Sequence, residues 1–388
     1  MTENQENRGR IGELATLFLK LGSIAFGGPA AHIAMFEDEV VKRRQWITHE
    51  HFLDLLGVTN LIPGPNSTEM AIHIGMVRAG WRGLLVAGIC FIAPAIAITL
   101  LFAHLYVAYG SLPQFAPVVA GMRPAIIAVI LGAVYRLGKP LAKKNRAPAI
   151  IGMVVAVLAL FHISEVALLF AGGFAGTLWA NRKRFAKTSH LFPALMLLLP
   201  VVRDASGALV PSDNVTVTAV GLFFLKIGSI LYGSGYVLVA FLQGGLVEAR
   251  HWLTQTQLLD AIAVGQFTPG PVLSTATFIG YILLGFPGAT VATIGIFLPS
   301  FIFVLIVSPY VSKLRAVPSL AAFLDGVNGS ALGLMLAVCI TLGAATLANP
   351  LMWFIFLAST ALILKWNLHP AWLVAGSAAV GWFAALRL

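Results

Sequence analysis

Asn60-Leu-Ile-Pro63-Gly64-Pro65-Asn66-Ser67-Thr68 is answered 206 residues further on by Gln266-Phe-Thr-Pro269-Gly270-Pro271-Val-Leu-Ser274-Thr275. The match extends outward in both directions. At the same spacing Phe18-Leu-Lys-Leu-Gly-Ser-Ile24 meets Phe224-Leu-Lys-Ile-Gly-Ser-Ile230, Arg44-Gln-Trp46-Ile-Thr48 meets Arg250-His-Trp252-Leu-Thr254, and Asp54 meets Asp260. One residue is then lost, and at a spacing of 205 Gly75 meets Gly280, Gly80 meets Gly285, Gly83 meets Gly288, Pro94 meets Pro299 and Gly121 meets Gly326. An order kept over so long a stretch identifies an internal repeat, with a first copy over 1–180, a linker over 181–214 and a second copy over 215–388.

The repeat is written in lipid-soluble residues. Of 388 residues 59% are hydrophobic and 10% charged, and the mean hydropathy is +0.89. Apolar runs of roughly 20 residues separated by short polar breaks read as membrane-spanning helices. The expected fold is an all-α polytopic membrane protein of two repeats, each with two interrupted segments followed by four simple spans. In the first copy the interrupted segments cover about 11–36, broken at Gly27-Gly28-Pro29, and about 52–77, broken at Pro63-Gly64-Pro65. Spans follow at about 83–107, 115–138, 147–162 and 163–180. The second copy matches with about 215–246 and 258–284, then 288–311, 319–345, 350–364 and 369–386.

Lys and Arg are retained on the cytoplasmic side, so their placement predicts orientation. In the first copy they fall on even-numbered connections: Arg78 and Arg82, then Lys139, Lys143, Lys144 and Arg146, then Arg182, Lys183, Arg184 and Lys187. In the second they fall on odd ones, with Lys313, Arg315 and Lys365. Opposite parity predicts inverted copies, which requires the linker to cross the membrane once; Leu191 to Val202 is the candidate, short for a span. The expected protein lies in a bacterial inner membrane with its N-terminus cytoplasmic and its C-terminus periplasmic. Lys42, Arg43 and Arg44 conflict with simple spanning. Either the interrupted segments are re-entrant, or Glu37, Asp38 and Glu39 neutralise that loop.

The net charge of +10 does not point to nucleic acid, because the cations sit in short interhelical loops rather than on one face. Cys90 and Cys339 lie inside apolar segments and are expected to pack. His49-Glu50-His51 with Asp54 raises a metalloenzyme, but the histidines are two apart and the second copy reads Thr254-Gln-Thr256. Zinc needs three or four converging ligands, so neither a metal, a cofactor nor an enzyme is expected.

Transport chemistry has better candidates. Each Pro-Gly-Pro breaks a helix ladder, so the residues after it begin a new helix with free N–H groups and a partial positive charge. That is an anion site in outline. Asn66, Ser67 and Thr68 follow the first motif, Ser274 and Thr275 the second, and Asn60 and Gln266 precede them. A Pro-Gly-Pro is also simply a kink, a reading weakened by its appearance in both copies. Lys20 and Lys226 are equivalent cations inside apolar segments, either functional or snorkelling to an interface. Arg123, whose counterpart is Asn328, is a further anion ligand candidate. Among acids, Asp54 and Asp260 stand near segment starts, where they also suit a helix N-terminus. Glu69 is the first candidate for a proton-coupling carboxylate, with His73 one turn later.

The tandem Phe-Leu-Lys-(Leu/Ile)-Gly-Ser, Trp before Thr, Pro-Gly-Pro and late Gly and Pro together resemble the chromate ion transporter family in its long, two-domain form, over the whole chain. The resemblance implies an exporter of chromate that gives chromate resistance, with sulfate as a structural analogue and the proton motive force as energy source. Gly27-Gly28-Pro29 is replaced by Gly233-Ser234-Gly235 in the second copy, so the copies need not bind substrate alike. A dianion leaving a cell that is negative inside gains roughly 4–5 kcal/mol per 100 mV, which favours export. An importer or exchanger of sulfate or another tetrahedral oxyanion is the alternative. The expected partners are the oxyanion and the bilayer, with a homodimer left open.

Overall fold

The structure is a computed structural model, and it describes residues 3–26, 28–109, 116–144, 146–161, 163–185, 214–232, 235–310, 318–366 and 368–385. Helix formation follows the apolar runs. The first copy forms α1 (Glu3–Ile24), α2 (Pro29–Glu37), a π turn (Asp38–Arg43), α3 (His49–Thr59), α4 (Asn66–Tyr109), α5 (Ala116–Lys144), α6 (Arg146–Ala159) and α7 (Glu165–Phe185). The second forms α8 (Val217–Ile230), a 3₁₀ turn (Gly235–Val237), α9 (Leu238–Leu242), a π turn (Gln243–Glu248) and α10 (Gln255–Phe267). A 3₁₀ turn (Val272–Ser274), α11 (Thr275–Val307), α12 (Pro318–Thr346), α13 (Pro350–Trp366) and α14 (Pro370–Ala385) complete it. Among the described residues there is no strand. The proposed crossing at Leu191 to Val202 lies outside the described residues.

Helix starts carry their usual chemistry. Pro29, Pro318, Pro350 and Pro370 each open a helix, where the missing N–H has no partner to lose. At the equivalent starts of α3 and α10, Thr48 accepts from His51 N–H at 3.2 Å and Thr254 from Gln257 N–H at 3.1 Å. Gln257 answers by accepting Thr254 N–H at 2.9 Å, a capping box.

The repeat is visible in backbone detail. Gln45 and His251 both take φ 52, an uncommon value for side-chain-bearing residues. Within α4 the helix breaks at Ala79 and Gly80, and within α11 at Leu284 and Gly285, with φ of 61 and 64 at the two glycines. At each break the chain doubles back, so that a Cβ on Gly75 would strike Gly83 and one on Gly280 would strike Gly288. Small residues allow that close approach.

The chain forms two compact units, one of Met1–Leu112, Thr216–Gly235 and Val264–Ala316, the other of Pro113–Val215, Tyr236–Ala263 and Val317–Leu388. Each draws on both copies. In the first, α1 packs on α4, α8 on α11 and α4 on α11, around an aromatic knot in which Phe91 meets Phe36 and Phe18 edge-on at 5.2 and 6.4 Å. In the second, α6 and α7 pack on α12, and α5 on α12, α13 and α14. There Gly121 approaches Gly381, and their repeat equivalents Gly326 and Gly176 approach each other. Such an exchange of matching contacts is what a two-fold relation between copies produces.

The exterior is apolar. Phe161, Trp372, Phe286, Phe354 and Phe383 are each at least 64% exposed, a surface suited to acyl chains and not to water. Four helical stretches, Asn66–Tyr109, Pro117–Lys143, Val272–Val307 and Ala321–Thr346, are long and apolar enough to cross a membrane.

Candidate functional site

Both Pro-Gly-Pro turns belong to the first unit, and each is held by the other copy. Proline has no N–H, so the glycine carries the only backbone donor within each motif. Gly64 N–H donates to Leu231 O at 2.7 Å, and Gly270 N–H donates to Ala25 O at 2.8 Å. Leu231 caps α8 and Ala25 follows the end of α1, where helical carbonyls have no partner of their own. Ala25 and Leu231 are equivalent in the repeat, so the two bonds form a reciprocal pair. Gly64 at φ 141 and Gly270 at φ 93 occupy backbone that other residues rarely adopt.

Helices begin directly after both turns. Asn66 opens α4, while Val272–Ser274 makes one 3₁₀ turn before α11. At the first turn Glu69 and Ser300 are completely buried, and a Cβ on Gly64 would strike both the Glu69 carboxyl and the Ser300 hydroxyl. Both carboxyl oxygens of Glu69, the Ser300 hydroxyl and the buried Thr68 hydroxyl have no hydrogen-bond partner. One turn along α4, His73 Nδ1 lies 3.4 Å from Ser308 Oγ while its Nε2 has no partner. Ser67 is buried, and Asn66 donates from its side chain to Asn60 at 2.6 Å.

The second turn is lined differently. A Cβ on Gly270 would lie 3.2 Å from Ala95, the repeat equivalent of Ser300. Ser274 is completely buried with an unpartnered hydroxyl. Thr275 donates to Val272 O at 2.8 Å, Thr268 donates to Val264 O at 2.8 Å, and Gln266 is buried beside the motif.

Other residues singled out by sequence lie elsewhere. Lys20 is 57% exposed at its side chain and sits 3.6 Å from Glu39. Glu39 also meets Arg43 and Arg44, each at 3.2 Å, and Asp38 meets Arg43 at 2.9 Å and Lys42 at 3.8 Å. Burial raises the Glu39 carboxyl, but the Arg44 hydrogen bond and the charges of Lys20, Arg43 and Arg44 outweigh it and hold it below its ordinary range. Arg123 donates to Asp260 through Nε at 3.1 Å and through its terminal nitrogen at 3.4 Å, a forked pair within the second unit. Gly28, at φ 78, accepts from Ala31 and His32 N–H at the start of α2. Lys226 is half-buried in α8 and Asp54 half-buried in α3. Gly27 lies outside the described residues. His49 Nδ1 is 3.2 Å from Glu37, and among the described residues no three metal-binding side chains converge.

Sequence reasoning missed Ser300 and Ser308. Ser300 follows Pro299, which the repeat already aligned with Pro94, so its position was signalled and its chemistry was not, because the other copy has Ala95 there.

The family described as Chromate transporter matches residues 12–177 and again residues 218–382. A chromate transport protein of Cupriavidus metallidurans is 33% identical over 371 residues, covering 95% of this chain and 92% of its own length. A chromate transport protein of Pseudomonas aeruginosa is 33% identical over 86% of this chain and 81% of its own length. An uncharacterized transporter of Methanocaldococcus jannaschii is 30% identical over 83% of this chain and 82% of its own length. No solved structure matches the chain.

Proposed function

We propose, on the premise that this chain belongs to the chromate transporter family, that it exports chromate across a bacterial inner membrane in exchange for protons and so confers chromate resistance. The observation that carries this reading is the pair of turns in one unit, each broken by Pro-Gly-Pro, each followed by a helix start, and each pinned by its glycine N–H to the other copy. Broken helices from two related copies supply backbone donors and hydroxyls to an anion at membrane depth. The donors are the backbone N–H groups of Asn66 to Thr68 and of Val272 to Thr275, with the side chains of Asn66, Ser67, Thr68, Ser274 and Thr275.

The Lys and Arg pattern supports a two-fold axis in the membrane plane, with the copies inverted and the turns approaching from opposite sides. Reciprocal contacts in both units accord with such an axis. Turns of this kind, alternately released and re-formed, give access to one side at a time. Glu69, His73, Asp54 and Asp260 are the carboxylates and imidazole from which proton coupling is drawn. The membrane potential drives a dianion outward.

Inside-out membrane vesicles test the proposal. Vesicles containing the protein should accumulate chromate, faster when their interior is made acidic, and sulfate should compete. Accumulation confined to right-side-out vesicles would establish import and overturn the direction.

A further inference from the structure

We propose that the two Pro-Gly-Pro turns have divided their chemistry, the first being a proton-binding site built by Glu69 with Ser300, and the second the subsite that holds the oxyanion. This rests on the transport reading above and assigns its two ligands to separate places.

Four observations lead there. Glu69 is fully buried, and neither of its oxygens has a partner. A carboxylate without a cation or donor is not sustained in such a place, whereas a neutral carboxyl is. Ser300, equally buried and unpartnered, stands on α11 against the same glycine that Glu69 touches. Its hydroxyl can donate to the carboxylate or accept from the acid as the proton leaves or arrives. Tyr232, from the segment after α8, lies within electrostatic reach of Glu69, and His73, one turn along the same helix, lies within reach of His51 of α3. None of these is a fixed cation that would keep Glu69 ionised.

The repeat supplies the control. At the second turn the residues equivalent to Glu69 are Ser274 and Thr275, Ser300 becomes Ala95, His73 becomes Phe278 and Ser308 becomes Ala103. The backbone is kept and the acid is gone. A dianion is repelled by an ionised carboxylate at close range, so the turn without one, carrying the unpartnered Ser274 hydroxyl, is the better host. Oxyanion binding at the second turn is thereby linked to the protonation of the first.

Infrared difference spectroscopy of the full-length protein in liposomes reads the proton directly and needs no substrate. The wild type should show the carbonyl band of a neutral buried carboxyl. It should vanish in Glu69→Gln and move in Ser300→Ala, and Ser300→Thr should restore its position. A band unchanged in Glu69→Gln, or one lost only when sodium replaces choline in the buffer, would overturn the proton assignment. Sulfate binding to the same samples gives the second arm. Ser274→Ala should weaken sulfate about tenfold, the loss of one hydrogen bond to a charged ligand, and in Glu69→Gln the affinity should no longer change with pH. Unaltered sulfate binding in Ser274→Ala with Val272 to Thr275 still folded would remove the anion from the second turn. Absence of sulfate and chromate binding by the wild type, with the infrared band intact, would strike the transport reading and leave the proton site standing.

Discussion

The first and second Pro-Gly-Pro turns share a backbone and differ in what lines it. Both glycines adopt positive φ, and both donate their N–H to the equivalent carbonyl of the opposite copy. Around Gly64 stand Glu69 and Ser300, and around Gly270 stands Ala95. The glycine's role is common to both copies, because a motif without N–H groups at its prolines has one donor to place, while the chain beyond differs, α4 starting at once and a 3₁₀ turn preceding α11. The side chains differ more, since one turn carries an acid and the other only neutral groups.

The largest effect is expected where the copies differ outside the turns. Asp260 is 4% exposed at its side chain and paired with Arg123, whereas the repeat equivalents are Asp54 and Asn328. Arg123→Ala should lower stability by about 3–5 kcal/mol by removing the forked cation from a buried carboxylate, read as thermal unfolding in detergent. Asp260→Asn in that background should recover most of the loss. If Asn328→Ala has as large an effect, the copies are equivalent there and the contrast fails.

Gly64→Ala comes next, at about 2–4 kcal/mol, because a Cβ meets both strained backbone and the Glu69 and Ser300 side chains. Gly270→Ala, with Ala95 alone in the way at 3.2 Å, should lose about 1–2 kcal/mol. Equal losses, measured as unfolding temperatures in one detergent, would mean that the lining of the first turn has relaxed away from Gly64.

The Lys20 cluster is the smallest test. Since Lys20 is 57% exposed and paired to Glu39, Lys20→Ala should alter stability by less than about 1 kcal/mol. Glu39 is held below its ordinary range, so its contribution is present above that range and lost as pH falls through the lowered value. The stability difference between wild type and Glu39→Gln should therefore shrink on acidification; a difference that grows would reverse the sign.

Much of the fold was legible because helices in lipid must satisfy their own backbone and so announce themselves as apolar runs. Expected spans at about 115–138 and 319–345 correspond to Ala116–Lys144 and Pro318–Thr346, and the second interrupted segment of each copy breaks at its Pro-Gly-Pro. Gly80 and Gly285 were aligned by the repeat, but the reversal of the chain at each depends on φ, which composition does not record. The bonds from Gly64 to Leu231 and from Gly270 to Ala25 join segments far apart in sequence, and no local pattern encodes them. The sequence leaves Lys20 either functional or snorkelling to an interface; its pairing with Glu39 arises from how α1 and the π turn pack. Glu69 was found because one acid beside a motif is conspicuous, while Ser300 was hidden among the polar residues that any helix carries.

The central claim is that the paired turns are the transport site. It is tested most directly by a cryo-EM structure of the protein with chromate or sulfate bound. An oxyanion should lie within hydrogen-bond distance of backbone N–H or hydroxyl groups from Val272 to Thr275, or from Asn66 to Thr68. An oxyanion bound only at cations beside the α4 break such as Arg78 or Arg82, away from both Pro-Gly-Pro turns, would make the turns structural kinks and contradict the account.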